Sequence, residues 1–150
     1  ITAAATIVDS SLKQETKQLQ SRYVYSLSRV HEAQLHLVRM DYSLKQMVTS
    51  IDASNRSDLK SQLGLHRAAI EQNLLNVDQN TRTFENKERL AAFAASKVEL
   101  FHSIDRTLEL LDKDQSAAQA FAASKYYLKS LEVCDALLSD IARSKELHSL

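Results

Sequence analysis

The chain has 150 residues but contains no proline and a single glycine, Gly64. Glycine and proline supply the backbone conformations of tight turns, so a chain almost without them has few ways to build hairpins, sheets or phosphate-binding loops. Long helices joined by short polar connections are the architecture that such a chain can still form. We therefore expect an all-α protein, and a length of 150 residues predicts one domain that covers residues 1–150.

Composition argues against several classes of function. The formal net charge is +0 and tryptophan is absent, whereas nucleic-acid-binding proteins usually carry a basic excess and aromatic stacking platforms. Cys134 is the single cysteine, so no intrachain disulfide is expected. No run of eighteen apolar residues and no secretion signal are found in the sequence. Because the chain begins at Ile1 without methionine, we expect it to be a piece of a longer protein.

No catalytic or cofactor-binding motif is found, so we expect a non-enzyme without cofactor or metal. No two histidines are spaced three or four residues apart on one helix. The pair of Glu-x-x-His motifs of di-iron proteins is missing, since only Glu99-x-x-His102 occurs, and the Cys-x-x-Cys-His motif of haem proteins is not found. His66 is interpreted as a core histidine and Cys134 as a small buried hydrophobe. The five histidines are His31, His36, His66, His102 and His148.

Apolar residues recur at helical spacing in four segments, which predicts four helices. The first helix is expected to be about fifty residues long and to end at a polar break over Asp52–Asp58, where Asn55 or Ser57 caps the next helix. The first stripe comprises Leu12, Leu19, Tyr23, Leu27, Val30, Leu37, Leu44, Val48 and Ile51. The second comprises Leu59, Leu63, Ile70, Leu74 and Val77, with His66 on the same face.

Two further polar breaks, Asp78–Thr83 and Asp112–Ser116, delimit the third helix, for which Thr83 is the predicted cap. Its stripe comprises Leu90, Ala94, Val98, Phe101, Ile104, Leu108 and Leu111. The fourth helix, of about thirty-five residues, is expected to bury Ala117, Phe121, Leu128, Leu131, Cys134, Leu138 and Ile141. Short connections predict an antiparallel up-down-up-down four-helix bundle with long first and fourth helices, whose two ends protrude together.

The first helix carries a second apolar row beside its core stripe. This row consists of Val24, His31, Leu35, Val38 and Tyr42. Because a peripheral helix of a monomeric bundle needs only one stripe, the extra row predicts a homodimer in which the first helix packs against its copy. The alternative is a first helix seated deeply within its own bundle.

Two stretches resemble a known family. They are "YSLSRVHEAQLHLVRMDYSLKQMVTSIDASNRSDL" (Tyr25 to Leu59) and "TLELLDKDQSAAQAF" (Thr107 to Phe121). In helix pattern the chain resembles the periplasmic four-helix-bundle sensor domain of bacterial methyl-accepting chemotaxis proteins. The resemblance implies a homodimeric domain excised from an inner-membrane receptor, with transmembrane helices before Ile1 and after Leu150. It also implies a ligand at the dimer seam and a downstream histidine kinase and adaptor.

The resemblance also implies site residues. Arg39 stands where aspartate receptors of this family carry the first of three arginines, while the other two positions hold Ser or Leu and Val. A small polar metabolite, such as an organic acid, is therefore expected rather than aspartate. The expected ligand-binding residues are Arg39, Tyr42, Lys45, Gln119, Ser124 and Tyr127. For Arg39 and Lys45 the alternative is a solvated helix flank that also carries Asp41.

Two other functions remain open on the sequence. The same fold can be the input domain of a diguanylate cyclase or of a sensor histidine kinase, in which the attached output domain is catalytic. A structural or adaptor bundle without a small ligand is the other alternative.

Overall fold

The computed structural model describes the backbone of residues 2–149 and the side chains of residues 9–147. Over this range the protein is all helical and contains no strand, which confirms the predicted fold class. Five helices follow one another: α1 Thr2–Thr49, α2 Ala53–Gln79, α3 Phe84–Lys113, α4 Gln115–Ala122 and α5 Lys125–Ser149. The prediction of four helices is therefore wrong in number, because the fourth predicted helix is divided into α4 and α5.

The connection between α1 and α2 is shorter than predicted. Asp52 caps α2, and its Oδ1 accepts a hydrogen bond from the backbone N–H of Ser54 at 2.9 Å. This carboxylate satisfies a donor of the first turn before Asn55 or Ser57 is reached, so the predicted caps lie inside α2. Ile51 falls in the connection instead of on the α1 stripe and is 89% exposed.

The predicted cap of α3 is confirmed. Thr83 has an extended backbone, and its hydroxyl accepts a hydrogen bond from the backbone N–H of Asn86 at 3.3 Å. At the other end of α3, Asp114 caps α4, because its Oδ1 accepts from the backbone N–H of Ala117 at 3.2 Å. Both caps follow the preference of helix starts for short oxygen-bearing side chains.

The predicted fourth helix is broken at residues 123–124. The hydroxyl of Ser124 accepts a hydrogen bond from the backbone N–H of Tyr127, with 3.4 Å between Oγ and N. A serine side chain that bonds the backbone locally offers an alternative to continued helix, so α4 ends at Ala122 and α5 starts at Lys125. The break also turns the buried face: Tyr127 enters the core, while Leu128, which was predicted to be buried, is exposed.

Side-chain bonds between helices show that neighbouring helices run in opposite directions. Between α1 and α5, Gln34 bonds Ser139 and Asp41 bonds Tyr127. The residue that comes later in α1 therefore bonds the residue that comes earlier in α5, as antiparallel helices require. The ion pairs Arg67–Asp105 and Glu71–Lys97 show the same order between α2 and α3. Between α3 and α5 the corresponding bonds are Asn86–Ser144 and Glu99–Tyr126.

The core runs along the inside of these helices, and most predicted stripe residues belong to it. All five apolar residues of the predicted α2 stripe are buried, namely Leu59, Leu63, Ile70, Leu74 and Val77. On α3 the prediction is wrong at Ala94 and Val98, which are exposed, while Phe93 and Leu100 are buried instead. From Leu90 onward, the buried face of α3 advances in alternating steps of three and four residues. The predicted stripe took a step of four after Leu90 and so fell one position too far along the chain.

The amino-terminal part of α1 extends past its neighbours. The side chains of residues 9–22 are all exposed, including Leu12 and Leu19 of the predicted stripe. No described helix is long enough and apolar enough to cross a membrane. Ile1, Leu150 and the transmembrane segments expected beyond them lie outside the described residues.

Candidate functional site

A groove runs between α1, α4 and α5. One part has a volume of about 520 Å³ and is lined by Lys45, Val48, Thr49, Gln119, Ala122, Ala123 and Leu128. A second part of about 300 Å³ is lined by Leu37, Val38, Asp41, Leu128, Leu131, Glu132 and Asp135. The two parts share Leu128. The helix break beside two small alanines leaves this space open.

Asp41 lines the smaller part of the groove and is held from two sides. The hydroxyl of Tyr127 donates to Oδ1 at 2.6 Å, and Nζ of Lys45 lies 2.9 Å from Oδ2. Tyr127 is 0% exposed, whereas the Lys45 side chain is about half exposed. The carboxylate thus links a buried phenol of α5 to a cation at the surface of α1.

The electrostatics of the groove favour donors and cations near Asp41. Burial raises the pKa of Tyr127, and the hydrogen bond and negative charge of Asp41 raise it further. The phenol therefore stays protonated and acts as a donor. Glu132 and Asp135 add two carboxyl groups to the smaller part, so a ligand with a cationic or donor group fits there best.

Gln119 has a structural partner. Its Nε2 donates to the backbone oxygen of Val48 at 2.9 Å, and Nε2 of Gln115 donates to the same oxygen at 2.9 Å. The last carbonyls of a helix have no partner within that helix, so these two amides satisfy the end of α1. Because both glutamines belong to α4, these bonds also hold α4 against the carboxyl-terminal end of α1.

Two of the six predicted ligand residues, Lys45 and Gln119, line this groove. Tyr127 is buried and bonds Asp41, and Ser124 caps the first turn of α5. Arg39 and Tyr42 are placed elsewhere. Tyr42 lies in the exposed row, and its hydroxyl accepts a hydrogen bond from Gln46 at 2.9 Å. Arg39 lies on the side of α1 that faces α2, where its charge contributes to lowering the pKa of His66. A single chain does not form an arginine–lysine clamp.

The second apolar row of α1 is bare in the single chain. Val38 is 63% exposed and Tyr42 is 61% exposed, and the other three members are exposed as well. A shallow depression of about 420 Å³ follows the row, lined by Val24, Leu27, Ser28, His31, Glu32 and Leu35. The alternative of a first helix seated deeply within its own bundle does not hold for these five residues.

Sequence reasoning missed two features. Asp41, which lines the smaller part of the groove, entered only as a flanking charge, because its partner Tyr127 is 86 residues away. His66 is half buried and meets His36 across the α1–α2 contact, which no spacing within one helix indicates. Cys134 is buried as predicted, and burial raises the pKa of its thiol to about 12.

Among the described residues, no group of three or more His, Cys, Asp or Glu side chains is placed to hold a metal ion. No protein-family model, curated protein sequence or solved structure matches the chain.

Proposed function

We propose that this chain is the extracytoplasmic ligand-binding domain of a chemotaxis receptor, which senses a small polar metabolite and signals by helix displacement. One observation carries the proposal: the bare apolar row of α1 lies beside a groove that contains the carboxyl groups of Asp41, Glu132 and Asp135. A sensor whose ligand binds at a dimer seam needs two parts: a surface that pairs with a second copy, and a groove at the edge of that surface. The apolar row and the groove are proposed to be these two parts.

The proposed architecture is an up-down-up-down four-helix bundle in which α4 and α5 form one interrupted fourth helix. The opposed order of bonded residues between α1 and α5, between α2 and α3, and between α3 and α5 supports this arrangement. The fold of the resembled sensor family has the same order. The interruption at residues 123–124 then opens the bundle wall where the groove lies.

The proposed covering of the apolar row is a second copy of α1. Packing Val24, Leu35, Val38 and Tyr42 against their copies removes apolar side chains from water and is self-complementary, as a two-fold contact requires. Bare rows of this kind are uncommon on monomeric proteins.

Charge supports the same partner. Asp41 flanks the row on one side and Arg39 flanks it on the other, and in a parallel two-fold pair opposite flanks of the two helices face each other. Arg39 of the second copy then approaches the acidic part of the groove, where Glu132 and Asp135 add negative charge. The dimer would thus supply the arginine that the single chain keeps away from its own groove.

Signalling follows from the position of the groove. A ligand between α1 and the α4–α5 break contacts two elements that are joined by Asp41, Tyr127 and the glutamines on Val48. A ligand that binds one arrangement of these helices more tightly than another shifts the population toward it. We propose that α5 relays this shift through a transmembrane helix to a histidine kinase and its adaptor, with this domain in the periplasm.

The test is a thermal-shift screen with organic acids, amino acids and small amines. A ligand at a hundred times its dissociation constant stabilises the folded state by about 2.7 kcal/mol and raises Tm by several degrees. Ala123→Trp fills the larger part of the groove and is expected to abolish the shift. Ala91→Trp is the matched control, because Ala91 is also an exposed alanine that lines a groove, the one of about 400 Å³ between α2 and α3.

A shift in the wild type and in Ala91→Trp but not in Ala123→Trp would support the groove as the sensing site. An equal shift in Ala123→Trp would move the ligand away from the groove. A screen without any stabilising compound would favour the structural or adaptor bundle over a sensor. The sequence downstream of the domain distinguishes a chemoreceptor from a cyclase or kinase, since a methylatable coiled coil and a catalytic domain differ in pattern.

A further inference from the structure

Two histidines from different helices meet on the side of α1 that faces α2, away from the groove. Nδ1 of His36 lies 3.0 Å from Nδ1 of His66, and the ring centroids are 5.2 Å apart. The two rings therefore point at each other, nitrogen to nitrogen, with one proton between the two Nδ1 atoms. One ring donates this proton and the other accepts it through a lone pair. This hydrogen bond joins α1 to α2.

The bond between the two rings requires that at least one of them is neutral. A protonated imidazole carries a proton on both nitrogen atoms and keeps no lone pair that could accept. A first proton on the pair is tolerated, because a charged ring still donates to a neutral one. With a second proton, two N–H groups and two positive charges face each other over 3.0 Å, so that attraction is replaced by repulsion. Uptake of the second proton therefore breaks the contact.

The charged groups of α1 beside the pair treat the two rings differently. Glu32 lies one turn before His36, and its Oε2 is 3.7 Å from Nε2 of His36, so a proton on His36 has a carboxylate beside it. The charges that act on His66 are positive. Burial lowers the pKa of His66, and the charges of His36 and Arg39 lower it further. The second proton thus meets more resistance than the first.

The charged residues of α2 next to His66 are engaged on another face of the helix. Arg67 forms an ion pair with Asp105 of α3. Glu71, one turn later, forms an ion pair with Lys97 of α3. The residues three and four positions from His66 carry no charge, namely Gln62, Leu63, Ala69 and Ile70. The response of the pair to pH is therefore set by the two rings and by the α1 charges beside them.

We propose that the His36–His66 hydrogen bond is a proton-operated switch, which holds α1 against α2 at neutral pH and opens when acidification adds a second proton. Because the pKa of His66 is lower in the folded protein than the value near 6.5 of an unfolded chain, the unfolded chain binds more protons as the pH falls. The stability that the pair contributes is thus complete above about pH 6.5 and is lost below it. The switch acts between α1 and α2, so it does not rest on the proposed sensing of a metabolite in the groove.

The test compares the protein at about pH 7.5 and at about pH 4.5, on either side of the ordinary histidine pKa. Nuclear magnetic resonance of histidine-labelled wild type reports the contact directly. We expect a nuclear Overhauser effect between the rings of His36 and His66 at the higher pH and its loss at the lower pH. We also expect Tm of the wild type to fall over this range by at least about 2 °C more than that of His66→Gln. Glutamine keeps an amide that can donate and accept but does not ionise.

The matched control is His102→Gln, a change at an exposed histidine of α3, and its Tm is expected to follow the wild-type curve. A further check is Arg39→Gln, which removes one of the positive charges that act on His66. We expect His66 to titrate at a higher pH in this variant. An unchanged titration of His66 would count against the switch.

Loss of the ring contact on acidification, together with a flatter Tm curve for His66→Gln than for His102→Gln, supports the switch. A ring contact that is absent at about pH 7.5 or persists at about pH 4.5 overturns it. Parallel Tm curves of the wild type and His66→Gln overturn it as well. Because the ring contact is measured on the wild type, it decides the question even where His66→Gln folds poorly.

Discussion

The hydroxyl of Tyr127 on α5 donates a 2.6 Å hydrogen bond to the carboxylate of Asp41 on α1. This bond joins the helix after the break at residues 123–124 to the helix that bears the exposed row. It also fixes the carboxylate that Lys45 meets from the solvent side. Asp41 therefore links the surface of the groove to a residue that is wholly buried.

Removal of the phenol is the first prediction. Tyr127→Phe keeps the buried ring but deletes the donor to Asp41, and a hydrogen bond to a charged group contributes about 1.5–3 kcal/mol. We expect a loss of that size in the free energy of unfolding, measured from urea denaturation. Tyr126→Phe is the control: Tyr126 is an exposed neighbour that bonds Glu99, and a surface change of this kind is within about 0.5 kcal/mol. Equal losses in both variants would contradict the importance of Asp41.

Alkaline pH gives a second prediction from the same residue. Burial first, and then Asp41, raise the pKa of Tyr127 in the folded protein. The unfolded chain, whose tyrosines ionise near pH 10, releases this proton first as pH rises. The stabilisation is thus complete below about pH 10 and is lost as pH rises further. We expect wild-type Tm to fall more steeply than that of Tyr127→Phe above pH 10, and parallel curves would contradict this.

The register of α3 is open to a third test. Leu100 is 0% exposed and packs in the core, whereas Val98 is exposed. Leu100→Ala is expected to lower the free energy of unfolding by about 2–5 kcal/mol, because it leaves a cavity. Val98→Ala is expected to change it by less than about 0.5 kcal/mol. The reverse order would restore the stripe that the sequence predicts.

The sequence predicts the helices of this protein better than their breaks. The shortage of glycine and proline, and stripes such as Leu59 to Val77, are local signals and survive in the structure. The division at Ser124 is harder to predict, since serine also occurs inside helices, and nothing in the sequence marks this serine as a cap of the next helix.

The candidate sites divide in the same way. The exposed row of α1 follows from the period of one helix and is found where it was predicted. The Asp41–Tyr127 bond and the His36–His66 contact depend on the rotation of two helices about their axes. The partners in these two contacts are 86 and 30 positions apart in the chain, and a single sequence gives no information on how the two helices are rotated toward each other.

Lys145 provides a fourth prediction. It is 1% exposed, and Nζ bonds the hydroxyl of Thr81 at 3.1 Å without a carboxylate partner among the described residues. Burial lowers its pKa, so the unfolded chain binds more protons and stability rises with pH in the range below about pH 10. Lys145→Met removes the buried amine, and we expect it to stabilise the protein by about 1–3 kcal/mol at neutral pH.

The control for Lys145→Met is Lys129→Met, a change at an exposed lysine of the same helix. It is expected to alter stability by less than about 0.5 kcal/mol. Urea denaturation at pH 7 and at pH 9 measures both variants. A destabilised Lys145→Met protein would mean that the amine has a favourable role that its single hydrogen bond does not explain.

Association through α1 is the fifth prediction. Val38 is a central member of the exposed row, so Val38→Glu places a carboxylate where the two copies of α1 would meet and where it loses water. We expect the dimer dissociation constant to rise at least about tenfold, which corresponds to about 1.4 kcal/mol. Val98→Glu is the matched control, since Val98 is an exposed valine on α3, and sedimentation of both variants and the wild type over a wide concentration range measures the effect. A wild type that stays monomeric with and without a stabilising ligand, or a Val38→Glu protein that associates as the wild type does, would remove the second copy from the row, and with it the arginine proposed to reach the groove across the seam.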